Sequence, residues 1–187
     1  KSGFDVVLAQ MGWNVSFTQQ IGLARGAATM QEKDWGIFIA WKYQTAPYLA
    51  NGTEIYDQMR YAYQCGAKYL VVFNYYDGQS GAYGSMQPEH FQALETFWRD
   101  VIKNPDEKQG SIKADSALVL PQNYGWGGRW AEDKIWGIFK ADNQTIQIWN
   151  LMEAALREHG LQTDIVYADA GSKLDAYQNI YNSSNLP

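Results

Sequence analysis

Amide, carboxylate and aromatic side chains recur at three places in this chain, each just after an apolar run. The first group is Gln10, Trp13 and Asn14. The second is Trp41, Lys42 and Tyr43, and the third is Asn74, Tyr75, Tyr76 and Asp77. Aromatic faces interleaved with amides suit a ligand with apolar C–H faces and many hydroxyls, a description that fits a sugar better than a nucleotide. Trp13, Trp41 and Tyr43 are the expected stacking residues, or else they pack beneath loops. Gln10 and Asn74 are expected to hydrogen-bond hydroxyls, or else to satisfy loop backbone, and Tyr75 is expected on the same substrate-binding surface. Lys42 either meets a substrate carboxylate or is paired or solvated at the rim. Asp77 is the carboxylate placed right after an apolar run. It reads as a catalytic carboxylate or sugar ligand, or, with Gly78, as a turn.

The apolar runs themselves are Asp5 to Gln10, Trp35 to Trp41 and Tyr69 to Tyr75. Each is nearly continuous, as in a parallel strand buried on both faces. A helix is expected over 17–34, another over 53–65 closed by Gly66, and a third from Pro88 with apolar residues down to Ile102. Gly22 and Gly26 interrupt the first helix at a cost of about 1 kcal/mol each against Ala. In such β-then-α repeats, ligands bind at the carboxyl ends of the strands, which is where the three polar groups fall.

The stretch 103–114 is polar, holds Pro105 and Gly110, and has no apolar run, so it reads as a boundary. A fresh buried strand follows at Ser116 to Leu120. After it come the aromatic, Gly-rich loop 122–130, a helix ending at Gly160 and a strand at Thr163 to Tyr167. That order opens a doubly wound sheet, and the tail after Asp169 is too short to finish one. The loop glycines Gly125, Gly127 and Gly128 lack the spacing of a phosphate-binding loop. Its aromatics are expected to make an inter-domain or subunit contact, so the expected protein partner is a second copy joined through this unit. Glu153, Glu158 and Asp164 read as solvated charges.

Aromatics are frequent at 15% of 187 residues, and the net charge is −5, which makes nucleic acid a poor partner. No apolar stretch approaches a membrane span. His90 and His159 lack ligand spacing, so neither a metal nor a cofactor is expected. The lone Cys65 reads as a small buried apolar residue. Sequons begin at Asn14, Asn51, Asn143 and Asn182, which points to an extracellular or cell-surface glycoprotein, with Asn51 and Asn143 the expected glycan carriers.

Two stretches carry a family resemblance. One is Gly36 to Tyr43 with Pro47-Tyr48, continued by Gly66 to Tyr75. The other is Leu120 to Gly127 with Asp133-Lys134-Ile135-Trp136-Gly137. The chain resembles the C-terminal part of a (β/α)8-barrel glycoside hydrolase followed by a flavodoxin-like domain, as in the family-42 β-galactosidase group and in glycosidase-like proteins of archaea and bacteria. The resemblance implies an α/β protein with residues 1–104 as the last barrel units, 105–114 as a linker and 115–187 as a partial flavodoxin-like domain. It also implies a fragment of a longer protein that acts on or binds carbohydrate. In that family the nucleophile is a Glu ending the seventh strand, where this chain has Trp41-Lys42-Tyr43. The alternative is therefore a non-catalytic carbohydrate-binding or structural glycoprotein of the same fold. A nucleotide-binding flavodoxin-like protein is a third reading, and the missing phosphate loop argues against it.

Overall fold

The computed structural model describes residues 3–12, 15–40, 42, 48–75, 84–124, 132, 134–135, 137–141, 144–168 and 173–183. Its first half runs β1 (Val6–Met11), α1 (Phe17–Gln31), β2 (Asp34–Ile39), α2 (Gly52–Gln64), β3 (Tyr69–Val72) and α3 (Pro88–Phe97). A π-helical turn, Trp98–Ile102, extends α3.

Local chemistry sets these boundaries. The Ser16 hydroxyl accepts from the Gln19 N–H and opens α1. The helix closes at Glu32, whose φ of 55° is left-handed. The Asn51 side chain accepts from the Glu54 N–H and opens α2, and Gly66, at φ 97°, follows its last turn. Pro88 occupies the first turn of α3, where a missing N–H costs nothing. There the His90 ring, fully buried, accepts from the Gln87 N–H at Nδ1 and donates from Nε2 to the Ala50 carbonyl. His90 is thus a satisfied core residue that ties α3 to the chain entering α2.

β1, β2 and β3 pair in parallel and in chain order. Consecutive order with right-handed crossovers sends every helix to the same side of the sheet. Accordingly, α1, α2 and α3 share one core with Ala9, Met11, Ile37 and Ile39 of the strands. The opposite side carries Val6, Leu8, Val71 and Phe73, all more than a third exposed. The expected burial on both faces holds only for the helix side, because no described element covers the other.

The second half runs β4 (Ser116–Leu120), a short hairpin of β5 (Lys134–Ile135) and β6 (Phe139–Lys140), α4 (Thr145–His159), β7 (Thr163–Tyr167) and β8 (Asn179–Asn182). β8 is a third parallel strand that the apolar pattern missed, since its sequence is Asn-Ile-Tyr-Asn. The order is β7-β4-β8, with β4 buried throughout. α4 covers one face through Ile148 and Met152, and Tyr177 and Leu174 pack on the other.

α1 joins the two sheets. Ile21, Ala24 and Ala28 face the first core, while Leu23 and Met30 reach the cores of the second sheet. A Cβ on Gly22 would stand 2.8 Å from the Thr163 carbonyl oxygen, and one on Gly26 would run into that of Ile165. The two glycines let α1 lie directly against β7, the edge strand of the second sheet, and so cover an edge that would otherwise be open. The stretch 105–114 is held against α2: Arg60 and Gln64 both bond Glu107, and the Ile112 N–H donates to the Gln64 carbonyl.

Candidate functional site

The carboxyl ends of β1, β2 and β3 lie together, as parallel pairing requires. The register sets Gln10, Phe38 and Val71 side by side on the open face. Phe73 continues β3 on that face, with its ring 5.4 Å from the Phe38 ring and tilted by 51°. The Tyr75 ring follows at 6.3 Å, within 18° of parallel to Phe73. Tyr75 is 49% exposed, and Gln10 is exposed beside the row. The charges of this face lie at the other end of the strands, where Asp34 pairs with Lys68 at 2.6 Å.

The other predicted groups are spent differently. The Asn74 Oδ1 accepts from the Ser85 hydroxyl and the Met86 N–H, both at 3.3 Å, and the Ser85 N–H donates to the Tyr75 carbonyl. Asn74 therefore holds the exit of β3 to the segment before α3. The Lys42 ammonium donates to both carboxylate oxygens of Glu54, at 3.0 and 2.9 Å. Of the two readings of Lys42, the paired one describes it. Asn51 is exposed at the N-terminus of α2, with its Oδ1 used as the cap. Trp13, Trp41, Tyr43, Asp77 and Asn143 lie outside the described residues.

Beside the Lys42–Glu54 pair, a cavity of about 220 Å³ opens at the ends of β1 and β2. Gly12 and Ala40 line it at the strand ends, and Glu54 and Gln58 line it from α2. The Gln58 Oε1 is buried and has no hydrogen-bond partner among the described residues. A wider cleft of about 560 Å³ adjoins it across Glu54 and Gln58 and is lined further along by Phe17, Asp57 and Tyr61. The sequence reading missed four of these residues. Phe38 and Phe73 were hidden inside strands read as core. Glu54 and Gln58 sit one turn apart on one helix face, a spacing visible in the sequence but silent about which strand end that face meets.

Elsewhere, Asp164 overturns its reading as a solvated charge. It is 1% exposed, accepts from the Arg25 Nε at 2.7 Å and from the Tyr177 hydroxyl at 2.8 Å, and shares β7 with Thr163. The Arg25 Nη2 also donates to the Leu161 carbonyl at 2.6 Å. Burial pushes the Asp164 carboxyl up, against the opposing pull of Arg25 and Tyr177. Burial, with the nearby Asp164, pushes the Tyr177 phenol well above its usual range. The Cys65 thiol is buried and likewise pushed up, so it is a packing residue rather than a nucleophile. Among the described residues, no three His, Cys, Asp or Glu side chains group to hold a metal, and no helix is long and apolar enough to cross a membrane. Comparison with protein-family models, curated proteins and solved structures finds no match for this chain.

Proposed function

We propose that the chain is the carbohydrate-handling end of a (β/α)8-barrel, glycoside hydrolase-like protein, followed by the start of a flavodoxin-like domain. The row Phe38, Phe73 and Tyr75 beside Gln10 carries this reading. Aromatic faces match the C–H faces of a pyranose, and an adjacent amide can donate and accept with its hydroxyls. Two features of the fold support it. Consecutive parallel strands with all helices on one side are the arrangement that closes into a barrel. The second-first-third order β7-β4-β8 is the one with which flavodoxin-like sheets begin. The sequons support an extracellular or cell-surface location for the protein.

A non-catalytic, binding role is the second reading, and the state of Glu54 favours it. Retaining and inverting hydrolysis both use two carboxyl groups across the scissile bond. Glu54 of α2, the carboxylate lining the cavity at the strand ends, is held by Lys42. Titration of neutral oligosaccharides into the protein, followed by calorimetry, tests the binding. Phe73→Ala and Tyr75→Ala are each expected to weaken it roughly two- to tenfold, the worth of one aromatic contact. Unchanged affinity in both variants would reject the platform. Release of reducing ends from the same saccharides separates hydrolysis from binding.

A further inference from the structure

We infer that the wider cleft along α2 is the seat of an N-linked glycan on Asn51, whose first sugars lie against Asp57 and Tyr61. The inference rests on the sequon reading of Asn51 and is independent of the aromatic platform on the open face.

The attachment point comes first. Asn51-Gly52-Thr53 is a sequon, and Asn51 and Thr53 are both exposed at the head of α2. The Asn51 Oδ1 accepts from the Glu54 N–H at 2.9 Å, and the Nδ2 has no partner among the described residues. A transferase joins that nitrogen to C1 of the first sugar. The bond from C1 to the oxygen of a lipid diphosphate carrier breaks, the diphosphate leaves, and the Nδ2 gives up one proton to a base of the transferase. The amide carbonyl is untouched, so the helix cap survives the modification.

The cleft then continues from that point. Asn51 and Thr53 line it at the head of α2, Asp57 and Tyr61 line it further along, and Phe17 lines it from α1. Residues 54, 57, 58 and 61 recur on one helix face. From Asn51 to Tyr61 the cleft follows α2 for about 15 Å, ten residues of helical rise. Its volume of about 560 Å³ is in the range that takes up a ligand of several rings. Tyr61 is 40% exposed, and with Phe17 it offers aromatic surface to the C–H faces of a sugar. Glu54 is held by Lys42, and Glu89 accepts from the Gly52 N–H at 2.8 Å. Asp57 is exposed without a partner among the described residues, so its carboxylate is the acceptor left for a sugar hydroxyl. Tethering favours this occupant over a free ligand. A sugar chain fixed at Asn51 meets the cleft at high effective concentration, so the weak contacts of an open, half-polar wall suffice.

Glycopeptide mass spectrometry of natively sourced protein reads the occupancy of Asn51, and the full chain secreted from a glycosylating host carries the variants. Asn51→Asp removes this glycan alone and keeps the cap, since Asp caps as well as Asn. Tyr61→Ala is expected to lower the melting temperature of the glycosylated chain by about 2–4 °C more than that of the Asn51→Asp variant. Nuclear Overhauser effects between sugar protons and the Tyr61 ring are expected in the glycosylated chain and report the contact without any substitution. If Asn51 is modified but Tyr61→Ala shifts both backgrounds equally and no such effects appear, the glycan is solvated: the seat is wrong and the sequon reading stands. An Asn51 without glycan in the native protein overturns the seat and the sequon reading of that site together.

Discussion

Asp164 and Arg25 come from positions 139 residues apart and meet in the interior with side chains 2% and 7% exposed. A buried pair of this kind is costly to form, and its removal is asymmetric. Deleting one partner leaves the other charge buried and uncompensated. Arg25→Met is expected to destabilise the protein by about 3–5 kcal/mol, whereas the double variant with Asp164→Leu should recover much of that loss. Urea unfolding of the two singles and the double measures it, and additive losses would mean the groups act independently. Tyr177 gives a pH signature. Its phenol is held up in the folded protein by burial and by Asp164, while in the unfolded chain it returns to about 10. Its contribution is therefore complete below pH about 10 and is lost as pH rises beyond it, because only the unfolded chain gives up the proton. Phenolate absorbance of this residue should appear together with alkaline unfolding, and Tyr177→Phe should remove part of the alkaline decline.

α1 is the element on which both sheets depend. In isolation its two glycines look like defects, since alanine is the better helix former by about 1 kcal/mol per position. Against β7 the sign reverses. A Cβ at Gly26 would strike backbone rather than a flexible side-chain end, so the helix or the strand would have to move. Gly26→Ala is expected to cost about 1–3 kcal/mol net, and Gly22→Ala less, in keeping with its looser approach. A Gly26→Ala variant as stable as native would show that α1 stands farther from β7 than described. At the head of α2, the cap uses the Asn51 Oδ1, while a glycan would attach through Nδ2. Asn51 can therefore serve both purposes, and glycopeptide mass spectrometry of natively sourced protein is expected to find it modified. Unmodified asparagines at all four sequons would remove the support for an extracellular location.

For the whole molecule, the consequence is that the elements before and after 103–114 share packing through α1. Leu23 and Met30 of α1 complete cores built on β4, β7 and Tyr177, and α1 covers the edge of β7. Residues 115–187 expressed alone should therefore lack fixed tertiary packing, with weak near-ultraviolet dichroism. The full chain should melt in a single transition for every probe. Independent folding of 115–187 would refute the shared role of α1. The open face of the first sheet is the complementary feature. It carries exposed Val6 and Leu8 toward the strand starts, and Val71 with the aromatic row toward the strand ends, so one face joins an apolar surface to the proposed sugar platform.

The elements set by local chemistry were legible in the chain. Apolar runs marked β1, β2, β3, β4 and β7, Gly66 marked the end of α2, and Pro88 the start of α3, because strand burial and helix capping act within a few residues. That the three strand ends meet was legible too, since parallel strands bring their carboxyl ends together whatever their spacing in sequence. What the polar groups there do was decided by the tertiary structure. Lys42 finds Glu54 and Asn74 is consumed by Ser85 and Met86, through contacts 11 or more residues apart, while packing closes off the Gln58 Oε1 without a donor among the described residues. Asp164 had no visible partner because Arg25 reaches it only after α1 docks on β7. β8 was hidden because an edge strand with polar ends needs a partner ladder rather than an apolar run to form. Sequence pattern reports which face of an element is apolar, and only packing decides which of those faces are covered and which polar groups are left to meet a ligand.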